Sequence, residues 1–207
     1  MKKKLIFIGN SIVNGFPYSR GKSFTGRIRA AAKDGTAGFC ADVINKGVNG
    51  ETTDQLLVRA EEDVFRHEPA ALFIMSGTND FIFETCSPRE AADNMEALAA
   101  AAESRGILPV FLTPLLTDAP MASRKWMAGM GTDYEAVNDE IRELADLLRQ
   151  SGRPFIDTLT AYREYHQEIL DRDEAYHDGV HPTIAGHEYL ARIIADWIRQ
   201  NADLLGL

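Results

Sequence analysis

The chain has little cysteine: Cys40 and Cys86 are the two it contains. They imply no disulfide framework, so reduced thiols and a cytoplasmic address are expected. Long hydrophobic runs are missing too, and nothing approaches the length of a membrane-spanning helix. The opening Met1-Lys2-Lys3-Lys4 and Leu5-Ile6-Phe7-Ile8 superficially resembles a secretion signal. Its apolar part is too short for one, and Gly9-Asn10-Ser11 ends it at once, so it reads as a first strand with a lysine-rich entry. Positive charge is scarce: 22 Lys and Arg face 31 Asp and Glu, a formal net charge of -9 over 207 residues. Nucleic-acid binding needs a basic face, and attraction to anionic membranes needs the same, so neither partner is expected. Repeats, low-complexity tracts and Pro/Ser-rich linkers are absent as well, which predicts one domain over residues 1–207.

Several familiar catalytic spacings are also broken. Val13 stands where the second glycine of a Gly-x-Ser-x-Gly elbow belongs, against the larger α/β-hydrolase lipase fold. Gly21-Lys22-Ser23 ends like a phosphate-binding loop, but Phe16 occupies the place of its first glycine. His177 and His181 are four apart, with no nearby cysteine or third histidine to complete a zinc set.

What is present is a globular composition, 45% hydrophobic and 26% charged, with enough length for a full core. Apolar runs at Lys4–Ile8, Ala41–Asn45, Ala70–Met75, Ile107–Thr113 and Pro154–Asp157 alternate with helical patterns. They lack strict polar alternation, as strands covered on both faces do, and this predicts an α/β fold with a parallel sheet. Ser87-Pro88-Arg89-Glu90 starts a helix with a capping serine and a first-turn proline, burying Ala91, Met95, Leu98 and Ala102 before Gly106. Thr132 to Glu135 repeats the capping pattern ahead of Tyr134, Val137, Ile141, Leu144 and Leu148. A last helix carries Leu190, Ile193, Ile194, Trp197 and Ile198 on one stripe, which is to pack on the sheet. Residues 16–23 and 114–131 fit no regular element, and both loops should overhang a site at the carboxyl ends of the strands. The second holds Met121, Trp126, Met127 and Met130, which either anchor the loop to the core or bind an acyl group as part of a lid.

Ser11 follows the first apolar run in small polar residues, so its hydroxyl falls at a strand-to-helix turn. A serine hydroxyl needs a base to become nucleophilic. Asp178-Gly179-Val180-His181-Pro182 supplies an imidazole and a carboxylate three residues apart, on one tight loop. Oxyanion donors are available from the Ser11 N–H, the Gly50 N–H and the Asn79 side-chain amide, each after a strand. Taken singly, each of these segments also fits an ordinary turn or cap. His67, His166 and His187 carry no partner pattern and read as surface or helix residues, and Cys86 reads as packing.

Four ordered segments together resemble the SGNH hydrolases, also called the GDSL esterase/lipase family. Gly9-Asn10-Ser11-Ile12 resembles the nucleophile block, with Asn10 where the family usually has aspartate. Gly50-Glu51-Thr52-Thr53 resembles the glycine block, Gly77-Thr78-Asn79-Asp80 the asparagine block, and Asp178 to His181 the Asp-x-x-His block. The resemblance implies a three-layer α/β/α, flavodoxin-like fold with a five-stranded parallel sheet. It also implies ester hydrolysis through an acyl-enzyme without metal or organic cofactor. Ser11, Asp178 and His181 become the triad, and Ser11, Gly50 and Asn79 the oxyanion hole. Asn10 is expected to alter loop hydrogen bonding without loss of catalysis.

The expected partner is therefore a small-molecule ester, with neither nucleic acid nor stable membrane insertion and with oligomeric state left open. The aromatic and methionine-bearing loops favour lysophospholipase- or arylesterase-like small acyl or aryl esters. A carbohydrate O-acetylesterase and a non-catalytic flavodoxin-like binding module are the alternatives.

Overall fold

Alternate residues of the central strands point to opposite faces, and here both faces are apolar. In the computed structural model, which describes residues 2–169 and 174–207, this pattern gives a sheet buried between two helical layers. The strands are β1 (Lys3–Gly9), β2 (Ala41–Gly47), β3 (Ala71–Met75), β4 (Leu108–Leu112) and β5 (Phe155–Ile156). All pairings are parallel, in the order β2-β1-β3-β4-β5. Each of the five apolar runs thus became a strand, displaced by two residues or fewer at either end.

The helices are α1 (Ser11–Asn14), α2 (Phe24–Asp34), α3 (Thr53–Asp63), α4 (Thr78–Ile82), α5 (Pro88–Glu103), α6 (Ala119–Lys125), α7 (Tyr134–Gln150), α8 (Thr158–Glu168), α9 (Ile184–Gln200) and α10 (Ala202–Leu205). Leu5, Phe7 and Phe73 face one layer, where Phe24 and Ile28 of α2 meet Leu190, Ile194 and Ile198 of α9. Ile6, Ile8, Leu72 and Ile74 face the other, against Leu56 of α3, Leu98 of α5 and Ile141 and Leu144 of α7. Full burial of such a side chain contributes about 1.5–3 kcal/mol. The last helix packs on the sheet as its stripe requires, with the Trp197 ring edge-on to Phe73 at 6.2 Å.

Three local readings are corrected. The α7 N-cap is Asp133, whose carboxylate accepts from the Glu135 and Ala136 amides, in place of Thr132. An ionised acceptor also suits the positive end of the helix better than a hydroxyl does. Residues 114–131 include α6, started by Asp118 through its bond from the Met121 amide, with Pro120 in the first turn. His187 lies on α9 as a helix residue but is fully buried. Its Nδ1 accepts from the Phe24 N–H at 3.3 Å. Burial, then the charges of Arg27 and His181, pushes its pKa down to about 3, so the ring stays neutral.

β1 has β2 on one side and β3 on the other, so successive crossovers leave it in opposite directions. A crevice opens at such a switch point, beyond the carboxyl ends of the strands. Ser11 follows β1 there and Asn79 follows β3.

Candidate active site

The turn after β1 is built by Asn10. Its Oδ1 caps α1 by accepting from the Ile12 amide at 3.1 Å, so the amide side chain does the accepting work of a carboxylate. Ser11 is the first residue of that helix and is 7% exposed. Because α1 is a single turn of four residues, it adds little dipole to the hydroxyl. Activation must come from a partner across the crevice.

That partner is His181. Ser11 Oγ lies 2.9 Å from His181 Nε2, although 170 positions separate them in the chain. His181 Nδ1 in turn lies 2.8 Å from Asp178 Oδ2. The other oxygen, Oδ1, accepts from the backbone amides of Val180 and His181 at 3.0 and 2.9 Å. One carboxylate oxygen therefore folds the loop while the other orients the imidazole. The loop is closed by the His177 N–H, which donates to the His181 carbonyl at 2.8 Å. Burial would raise the Asp178 pKa, but bonds from the His181 ring and from the His181 and Val180 amides outweigh it and hold the carboxyl low.

The sign of that shift has a measurable effect. An acid held below its ordinary value stabilises the fold above that value, and the contribution is lost as pH falls through the folded pKa. The gap in Tm between wild type and Asp178→Asn is expected to be widest near neutral pH and to shrink below about pH 4. Thermal unfolding across that range checks this; a constant gap would contradict it.

Gly179 makes the loop possible. Its φ is +93°, and a Cβ there would stand 2.2 Å from the Ala122 backbone nitrogen. The start of α6 presses against this residue, and the Asp118 N–H donates to the Gly179 carbonyl at 2.8 Å. Trp126, which ends α6, sets its ring 4.6 Å from His181, edge to face. Phe16 approaches the same imidazole at 4.7 Å. Both irregular segments thus overhang the site. Of the loop's other large side chains, Met121 is core, Met127 is packed against core and Met130 is exposed.

Asn79 reaches across the crevice to the residue that follows Gly50. Asn79 Nδ2 donates to the Glu51 carbonyl at 2.8 Å, leaving the second amide hydrogen for another acceptor. Gly50 has φ +80° and open space around its Cβ position, so conformation and not close packing requires glycine there.

Two supports of this pair were not read from the sequence. Asp80, fully buried, accepts from the Thr53 amide at 2.9 Å and hydroxyl at 2.6 Å, pinning the start of α3 to α4. Burial raises its pKa despite those bonds. Arg59 donates to the Lys46 carbonyl at 2.8 Å and the Gly9 carbonyl at 3.4 Å, while its Nε binds Glu51 Oε1 at 2.6 Å. It ties the strand before the nucleophile turn to the segment after Gly50. Cys86 donates to Asp80, and burial plus that carboxylate pushes its thiol up to about 12, which leaves it inert.

Serine, imidazole and carboxylate in series, beside amide donors, can move a proton off a hydroxyl and hold a developing oxyanion. Among the described residues, no group of three or more His, Cys, Asp or Glu is placed to hold a metal ion. Nor is any helix there long and apolar enough to cross a membrane. A cleft of about 780 Å³, lined by Lys2, Phe65 and Arg105 among others, lies at the amino ends of the strands, away from this chemistry.

Comparison with known proteins bears on the family and the fold. The model of the GDSL-like lipase/acylhydrolase family matches residues 7–189. An acetylxylan esterase of Geobacillus stearothermophilus is 26% identical over 215 residues, covering 95% of this chain and 96% of that protein. The crystal structure of Axe2, an acetylxylan esterase from Geobacillus stearothermophilus, superposes with a TM-score of 0.74 at 23% identity, over 95% of this chain and 94% of the other. LAE5, an alpha/beta hydrolase enzyme from the metagenome of Lake Arreo, Spain, gives 0.76 at 22% identity, over 95% and 96% of the two chains. At such identities the superpositions speak for the fold.

Proposed function

The chain belongs to the GDSL-like lipase/acylhydrolase family and is a hydrolase of carboxylic esters, and on that premise we propose that Ser11 is its nucleophile and an O-acetylated carbohydrate its substrate. The reading is carried by the chain of short contacts from Ser11 Oγ through His181 to Asp178, at 2.9 and 2.8 Å.

His181 Nε2 takes the Ser11 proton as Oγ attacks the acetyl carbonyl. Asp178, kept ionised by its low pKa, stabilises the imidazolium that forms. The oxyanion collects bonds from the Ser11 N–H, the Gly50 N–H and the second Nδ2 hydrogen of Asn79, donors aimed at charge that appears only as the tetrahedral carbon forms. The intermediate collapses as His181 returns the proton to the leaving sugar oxygen, and the acetyl group stays on Ser11. A water molecule, deprotonated by the same imidazole, then attacks the acyl-enzyme and releases acetate and the free serine. Acid–base assistance of this kind contributes about 10²–10⁴-fold.

Two observations favour acetyl over a long acyl chain. Phe16 and Trp126 stand directly against His181, which crowds the space beside the nucleophile. Of the methionines of residues 114–131, Met121 is taken up by the core and Met127 packs against it, which leaves only Met130 of the three exposed. The relative of nearly equal length is, by its name, an esterase of acetylated xylan.

The test is a series of p-nitrophenyl acetate, butyrate and octanoate with acetylated xylo-oligosaccharides alongside. We expect kcat/KM to fall by about ten-fold or more from acetate to butyrate, because rings fixed at the site must move to admit each added methylene. Acetate should also be released from the oligosaccharides. Rates that rise with chain length would return the protein to the lysophospholipase and arylesterase class.

A further inference from the structure

Beside the proposed oxyanion glycine is a cavity of about 370 Å³, and Gly50 itself forms part of its wall. The other lining groups come from the start of α3, the end of α4 and the exposed side of α5: Asp54, Gln55, Phe83, Thr85 and Asn94 among them. The size is that of a small-molecule site.

Four of these side chains are held by one hydrogen bond each while keeping capacity for another. Asp54 Oδ1 accepts from the Thr52 hydroxyl at 2.5 Å, and its second oxygen is left over. Gln55 Oε1 accepts from the Thr52 amide at 3.2 Å, leaving both hydrogens of its NH2. Asn94 donates to the Thr53 hydroxyl at 3.0 Å and keeps its carbonyl oxygen. Thr85 donates to the Asp80 carbonyl at 3.3 Å and keeps its lone pairs. Donors and acceptors are thus mixed and fixed before a ligand arrives, with no cation among them. In the same wall Phe83 leaves 43% of its surface to solvent, one of few large apolar side chains so exposed.

A flat apolar ring beside a set of mixed donors and acceptors matches a pyranose, which has apolar C–H faces and hydroxyls around its rim. A lipid chain would leave the polar groups unpaired, and an anion would find no cation. Resting on the carbohydrate reading above, we propose that this groove is the binding site for the sugar of the leaving alcohol, with Phe83 as its stacking platform. The acetyl carbonyl then lies between Ser11 and Gly50, and the glycosyl part extends past Gly50 onto Phe83.

The experiment compares acetylated xylo-oligosaccharides with ethyl acetate, whose alcohol is too small to reach Phe83, in wild type, Phe83→Ala and Phe83→Trp. In Phe83→Ala the ratio of kcat/KM for oligosaccharide over ethyl acetate is expected to drop by about ten-fold, mainly through KM, and Phe83→Trp should restore it. An unchanged ratio in Phe83→Ala would overturn the groove assignment while leaving the acetyl-carbohydrate reading intact. An equal loss on p-nitrophenyl acetate would also overturn it, since the groove would then select any flat ring. Wild-type protein that cleaves ethyl acetate but leaves the oligosaccharides untouched would instead remove the carbohydrate reading, and this proposal with it.

Discussion

Ser11→Ala is expected to lower kcat for p-nitrophenyl acetate by about 10⁴–10⁶-fold, and His181→Ala by a similar factor. On the proposed mechanism the two side chains, 2.9 Å apart, form one proton-transfer unit, so removing either leaves the other without a task. For the same reason the double variant should be hardly slower than either single one. Structural collapse would not explain the loss in Ser11→Ala. The change deletes one hydroxyl from the first residue of a helix whose cap is Asn10, and the Asn10 bond to the Ile12 amide survives. Tm should therefore stay within a few degrees of wild type. Steady-state rates with a thermal scan check both halves. Wild-type turnover in Ser11→Ala would end the assignment of the nucleophile.

Asn79→Ala is the second large effect: kcat should fall by about 10²–10³-fold, with KM changed much less. The amide is proposed to bind an oxygen that becomes charged only during the reaction, so ground-state binding gains little from it. The same Nδ2 also holds the Glu51 carbonyl at 2.8 Å, next to Gly50. Alanine therefore loosens the glycine segment as well as deleting a donor. Arg59 and Asp80 still brace that segment, through Glu51 and Thr53, which limits the movement. Asn79→Asp keeps the shape but removes both donor hydrogens, so it loses the oxyanion bond and the Glu51 tether together, and the split between kcat and KM is what tells the two roles apart. Comparable loss of kcat in both variants supports an oxyanion role. A raised KM with kcat preserved would make Asn79 a tether of the Glu51 segment alone.

Much of this architecture was legible because burial on both faces writes itself as uninterrupted apolar strands. Caps such as Ser87 and Glu90 are local signals that need no knowledge of the rest of the chain. The Asp178 and His181 pairing was legible for the same reason, since its geometry is confined to a few residues. α6 was missed although Asp118 followed by Pro120 is a cap and a first-turn proline, because its seven residues are too few to show a helical period. The burial of His187 had a faint signal: it shares a stripe with Leu190, Ala191, Ile194 and Ile198. Arg59 and Asp80 had none, because their partners at Gly9 and Thr53 lie 50 and 27 residues away. Phe16 and Trp126 lie in the two loops expected over the site, and Trp126 stands out there in the sequence, but periodicity does not say which ring meets His181.

On the proposed mechanism the nucleophile lies in the turn just after the first strand, while its base waits until just before α9, the long helix that covers the sheet. A growing chain thus acquires the dangerous half of its chemistry early and the activating half almost last. Through most of synthesis Ser11 is an ordinary alcohol, and a chain cut short before Asp178 would be as inert toward esters as water-exposed serine. Hydrolytic competence would in this sense report that the segment carrying Asp178 and His181 has been made and folded back onto the turn after β1.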